Sequence, residues 1–117
     1  MELTEFILRA MREAGREQVL PRSEPDRVRL LENLAGEVSR QGKGLDLQEL
    51  PEKAEKQYRL ALAIWEKLLE HRKNPDYARQ AEEVCLCLAD LSMQQGNMHG
   101  ADVYYVKAME YGKYPRI

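Results

Sequence analysis

Leu88-Ala89-Asp90-Leu91-Ser92-Met93-Gln94-Gln95-Gly96-Asn97-Met98-His99-Gly100-Ala101-Asp102-Val103-Tyr104-Tyr105-Val106-Lys107-Ala108-Met109 reads as the end of one helix, a short Gly-Asn turn and an antiparallel second helix. Small side chains stand at Ala89, Ala101 and Ala108, where two helices must approach closely. A looser copy of the pattern runs from Leu34 to Leu62. The repetition points to an architecture of helical hairpins and to a binding role, not to an active site.

The surrounding chain fits one soluble helical domain. Its 117 residues are enough to bury roughly two thirds of the unfolded surface. Five prolines and seven glycines fall between periodic segments, which favours helices over strands. Eighteen basic and twenty acidic side chains leave a net charge of -2, so no chain-wide positive field draws nucleic acid or an acidic membrane. Glu2 and Glu5 replace the basic start of a secretory signal, and no apolar run reaches the roughly 18 residues of a membrane span. Cys85 and Cys87 lie two apart on one helix, point away from each other and read as reduced thiols, in keeping with a cytoplasmic protein.

Taken in order, Leu3, Phe6, Ile7, Ala10, Met11 and Ala14 mark one face of a first helix from Glu2 to about Val19. Its other side mixes acidic and basic groups, which suits packing on a core better than lying on a membrane. After Pro21–Pro25, a second helix starts near Glu24 to Asp26, with Ser23 as cap. It carries Val28, Leu31, Leu34, Ala35 and Val38 and is expected to end at Gly42. Leu45 to Leu50 reads either as a loop or as the first turn of the next helix. From Pro51 to about Arg72 a broad stripe (Ala54, Tyr58, Ala61, Leu62, Trp65, Leu68, Leu69, widened by Leu60 and Ile64) predicts a helix covered on two sides. Asn74 caps a fourth helix with Pro75 in its first turn; the helix carries Tyr77, Ala78, Ala81, Val84, Cys85, Leu88 and Leu91 and stops at Gly96. A fifth, from about Met98, carries Ala101, Tyr104, Tyr105, Ala108 and Met109 and is closed by Gly112 and Pro115.

Overlaying the hairpins on their Gln-Gly pairs matches Leu34-Ala35 with Leu88-Ala89 and Gln41-Gly42 with Gln95-Gly96. After the turn Ala54, Tyr58 and Ala61-Leu62 match Ala101, Tyr105 and Ala108-Met109. The first copy then carries seven extra residues around Leu45 to Leu50, about two helical turns. The pattern resembles the tetratricopeptide repeat in the longer form of kinesin light chains. Asn33-Leu34-Ala35, Gln41-Gly42-Lys43, Ala54-Glu55, Tyr58 and Ala61-Leu62 carry the likeness, with Ile64-Trp65-Glu66-Lys67 and Asn74-Pro75-Asp76-Tyr77-Ala78 resembling the linker. It covers roughly Asp26 to Pro115, and departs where Val38 and Ser92 replace the tyrosine expected midway along each first helix. The resemblance implies an all-α fold of antiparallel hairpins, a right-handed superhelical array of about five helices. Residues 1–20 form a packing or capping helix, 24–72 the first, insertion-bearing repeat and 74–112 the second. Two copies are fewer than the three that solenoids usually need, so the first helix or a second chain is expected to cover an end.

In that family the first helix of each hairpin lines a concave groove for an extended or helical peptide. Matching positions give Arg29, Glu32, Asn33, Gly36 and Arg40 in the first copy and Glu83, Leu86, Cys87, Asp90 and Met93 in the second. Asn33 matches an asparagine that holds a peptide backbone in such repeats; read alone, it is equally an ordinary solvated amide. A carboxylate clamp is not expected, since the second copy offers Glu83 and Asp90 where cations are needed. Tyr105 and Trp65 read as core, and Tyr104, Tyr111 and Tyr114 as an edge or dimer contact. His71, Cys85, Cys87 and His99 are scattered over helices and a turn and lack zinc-site spacing, no catalytic constellation or phosphate loop is seen, and no cofactor is expected. The expectation is a non-enzymatic adaptor that binds a protein or peptide, with a homodimeric assembly unit as the alternative.

Overall fold

A computed structural model describes residues 2–16 and 18–114. It is all-helical, with α1 Leu3–Glu13, α2 Glu24–Leu47, α3 Pro51–His71, α4 Pro75–Gln94 and α5 Met98–Gly112. Each of α2 to α5 lies beside its neighbour in sequence, and α1 rests against α2 and α3. The helix α3 is therefore covered on two sides, as its broad apolar stripe demands. Pro115, expected to close α5, lies outside the described residues.

Two caps form as the sequence indicates. The Ser23 side chain accepts from the Asp26 amide at 3.3 Å, and Asn74 accepts from Asp76 at 2.9 Å. Both satisfy amides that a helix leaves without an internal partner.

The helix ends hold the corrections. Three helices close with the same Schellman pair of hydrogen bonds around one left-handed residue. At α1 the residue is Gly15 (φ 69°), with Arg16 N–H on Met11 O at 2.8 Å. So α1 stops at Glu13, short of the expected Val19. At α4 it is Gly96 (φ 75°), with Asn97 N–H on Ser92 O at 2.8 Å. At α2 it is Glu49 (φ 59°), with Leu50 N–H on Leu45 O at 3.0 Å. The helix α2 thus runs through Gly42-Lys43-Gly44 to Leu47. Gly42 is not its end, and Leu45 to Leu50 is neither a loop throughout nor the start of α3.

Gly42 instead serves a close approach. A Cβ placed there would lie 2.9 Å from the buried Tyr58 ring. The turn residues now fix the internal register. Glu49 corresponds to Gly96 and Pro51 to Met98, one offset of 47 residues on both sides of the turn. On that offset Gly42 corresponds to Ala89, the small residue of the second hairpin. In this register α2 and α4 end at equivalent positions, Leu47 and Gln94, so the expected seven-residue insertion is absent, α2 is longer only at its start, and the aligned Gln-Gly pairs are not structurally equivalent.

One core runs through the array, with Ile7, Leu31, Val38, Ile64, Leu68, Cys85, Leu88 and Leu91 fully buried. Ala54, Ala61, Ala89, Ala101 and Ala108 are buried at the helix contacts, as their size requires. Val38 and Ser92 are buried as well. The α1 stripe enters this core through Ile7, Ala10 and Met11. Arg27 ties the entry segment down, donating to Pro21 O at 2.7 Å and Thr4 Oγ1 at 2.9 Å. In α5, Met109 leaves the expected stripe and is 62% exposed.

Candidate functional site

The candidate site is the surface shared by α2 and α4, both of which pack on α3 and which a side-chain bridge connects. At one end the Tyr77 hydroxyl of α4 donates to Glu32 Oε2 of α2 at 2.9 Å. The Tyr77 ring lies 5.9 Å from that of Trp65, so α3 backs the contact. Burial, together with the hydrogen bond to Glu32, pushes the Tyr77 phenol up to about 12, so it remains a donor at neutral pH. Further along, the Tyr58 hydroxyl of α3 donates to the Cys87 sulfur, with Lys43 and Asp46 from the last turns of α2 in electrostatic reach.

Every residue expected in the groove is at least partly solvent-accessible, but the ten do not form one set. Glu32 and Cys87 are engaged by tyrosines within the chain. Asp90 accepts from the Tyr105 hydroxyl at 3.3 Å. The Arg40 guanidinium comes within 3.5 Å of where a Gly36 Cβ would lie, so these two share one patch of α2. Arg29 is only loosely paired, 3.9 Å from Asp26. Asn33 shares a stripe of α2 with Arg29, Gly36 and Arg40 by its 4-3-4 spacing, and it also borders a recess of about 140 Å³ with Met11, Arg16 and Gln18 at the edge that meets the segment after α1. Its neighbour Glu37 is bridged to Arg16 at 3.0 Å.

On α4, Glu83, Leu86, Asp90 and Met93 fall on one exposed face. Leu86 is 41% and Met93 45% exposed. The accessible wall of α2 is cationic through Arg29, Arg40 and Lys43, whereas that of α4 is acidic and apolar. Lys43 and Asp46 are the residues that sequence reasoning missed here. The signal was present: aligning the hairpins on their turns, not on Gln-Gly, keeps α2 helical through both.

The tyrosine edge is also rearranged. Tyr104 and Tyr111 pack against the core. The Tyr111 hydroxyl donates to Glu66 Oε2, which also receives Lys107 Nζ at 3.3 Å. Tyr105, expected in the core, is half-buried and reaches outward to Asp90. Tyr114 is half-buried. Trp65 is buried as expected.

At both thiols burial outweighs the nearby groups that favour the thiolate, Lys107 at Cys85 and Tyr58 and Lys43 at Cys87. Burial, with the nearby Glu66 carboxylate, pushes Cys85 up to about 12, and burial raises Cys87 as well. His71 bonds Glu24 Oε1 at 2.7 Å, away from both cysteines in sequence and partner. Among the described residues no group of three or more His, Cys, Asp or Glu is placed to hold a metal ion, and no helix is long and apolar enough to cross a membrane. Comparison of the chain with protein-family models, curated proteins and solved structures found no match.

Proposed function

We propose that this chain is a tetratricopeptide-like adaptor that binds a helix or peptide of a partner protein across α2 and α4, and that it acts by binding, without catalysis. One observation carries the reading: Leu86 and Met93 stand exposed on a helix whose other exposed residues there are charged. An apolar pair seven residues apart is two helical turns, the spacing at which a partner helix presents successive anchors. The acidic rim at Glu83 and Asp90 and the cationic rim at Arg29, Arg40 and Lys43 favour one orientation of that partner. The part of the family likeness that keeps its register, Ala54, Tyr58 and Ala61-Leu62 against Ala101, Tyr105 and Ala108-Met109, supports a repeated hairpin that presents α2 and α4 as equivalent helices. The unpaired thiols suit a reducing, cytoplasmic setting.

The test is affinity capture from cell extract with mass spectrometry, comparing the native chain with Leu86→Glu/Met93→Glu. Both positions are exposed, so helix content should stay unchanged while specific capture falls at least tenfold. Equal capture by the double variant would remove this surface from consideration. Asn33→Ala combined with Arg29→Ala tests the α2 wall separately: the two share one stripe of α2, so the double variant should weaken capture while leaving helix content unchanged.

A further inference from the structure

The outward side of α5 carries a second apolar feature that the groove does not use. His99, Val103, Val106 and Glu110 are all exposed, the valines at 44% and 54%. Their 4-3-4 spacing is that of a heptad seam, and it places the four on one stripe of the helix.

The internal repeat says what this stripe is not. On the 47-residue offset, Val103 and Val106 correspond to Lys56 and Arg59, exposed on α3. Tyr105 and Met109 correspond to Tyr58 and Leu62, which are buried in the first hairpin. Tyr58 meets Cys87 of α4. A further hairpin continuing the array would therefore settle on Tyr105 and Met109. The valines stand where the first hairpin keeps charges in water.

We propose that the stripe is a homotypic contact, in which α5 lies antiparallel on α5 of a second copy. In an antiparallel seam each a position meets a d position of the opposite helix. Centring the two-fold axis between Val103 and Val106 sets Val103 of each copy against Val106 of the other. The same register sets each His99 against the other copy's Glu110, an imidazole beside a carboxylate at both ends of the valine pair. A slip of one heptad either way opposes Val106 to Glu110 or Val103 to His99. Only the centred register buries both valines together and pairs both polar ends. This contact is independent of the groove on α2 and α4.

One helix face is a small interface, below the roughly 1,200 Å² of stable complexes, so the dimer forms weakly and reversibly. Sedimentation equilibrium of the full chain from about 10 µM to about 1 mM should show the mass rising from 13.6 kDa towards twice that value. A monomer throughout that range overturns the proposal. Val103→Lys/Val106→Arg, which installs the charges found on α3, should keep the circular dichroism and remain monomeric; a dimer that survives it overturns the proposal. Glu110→Lys alone should weaken association at least threefold, and adding His99→Glu should restore it. Failure of that charge swap to restore association overturns the register. Leu86→Glu should leave dimerisation intact, and its loss in that variant would place the contact on α4 instead.

Discussion

Gly42 and Glu49 set the shape of the first hairpin with opposite backbone demands. Gly42 is helical and buried, and the Tyr58 ring occupies the space a methyl group would need. That ring is itself 2% exposed and bonded to Cys87, so it has no free direction in which to retreat. Alanine at 42 gains about 1 kcal/mol of helix propensity but overpacks the seam by about 1–3 kcal/mol. The expected net is a loss of up to about 2 kcal/mol, read as a lower urea midpoint at unchanged slope. Gly44 is the control, because nothing lies within 4 Å of a Cβ built there. Gly44→Ala should stabilise by up to about 1 kcal/mol. Glu49 is the reverse case, an L-residue holding the left-handed turn that Gly96 holds in the second hairpin. Glu49→Gly relieves an αL cost of about 1–2 kcal/mol but adds unfolded-state freedom, so the expected net gain is about 0.5–1 kcal/mol. A rise in midpoint for Gly42→Ala, or a fall for Glu49→Gly, would mean that α2 does not pass through the turn as described.

At the scale of elements, the longer α2 gives the two hairpins different proportions. Its 24 residues against the 20 of α4 add length at its start, while its last turns, which bring Lys43 and Asp46 towards Cys87, match the last turns of α4. Hydrogen exchange measures this directly. Amides from Lys43 to Leu47 should exchange slowly, with protection comparable to the middle of α2, while those at Gln95 and Gly96 exchange faster at the α4 end. Exchange of Lys43–Leu47 at unstructured rates would restore the shorter helix. The same element shows what the sequence makes readable. Five helices, both capped starts, α3 and the buried alanines follow from periodicity and from Ser, Asn and Pro at known positions. The end of α2 was hidden because glycine is the usual left-handed stop, whereas here two glycines are helical and a glutamate makes the turn. The site was legible as a face and not as a set of contacts. Helical spacing puts Leu86 and Met93 outside. It says nothing of Tyr77 reaching Glu32 or Tyr105 reaching Asp90, because those pairs depend on how helices distant in sequence cross.

The whole molecule is a single row of helices, and its dimensions follow from that. A radius of gyration of 14.3 Å exceeds the about 13 Å expected for a compact chain of this length, and the extents of 44, 34 and 22 Å describe a slab. A slab has no deep centre, so its stability resides in the seams between neighbouring helices. Those seams hold proton-bearing groups that resist ionisation. Tyr58 joins α3 to α4, Tyr77 joins α4 to α2, and Tyr111 joins α5 to α3, each with its phenol pushed up by burial and by its bonded partner. Cys85 is buried on α4 and pushed up to about 12 by burial. The sign of the pH effect follows. The unfolded chain releases the thiol proton near 9 and the phenol proton near 10, while the folded chain retains both until higher pH. Their contribution is therefore complete below about pH 9 and declines as pH rises towards about 12. Urea midpoints should be level from pH 7 to 8.5, then fall steadily through pH 10 and 11. Tyrosinate absorbance near 295 nm supplies the second reading. The more open tyrosines should titrate without loss of helix, and a later step should coincide with the loss of helical circular dichroism as the three seam phenols ionise together. A midpoint constant to pH 11, or all six tyrosines titrating in one transition near 10 with the helices intact, would show that the seams do not depend on these protons.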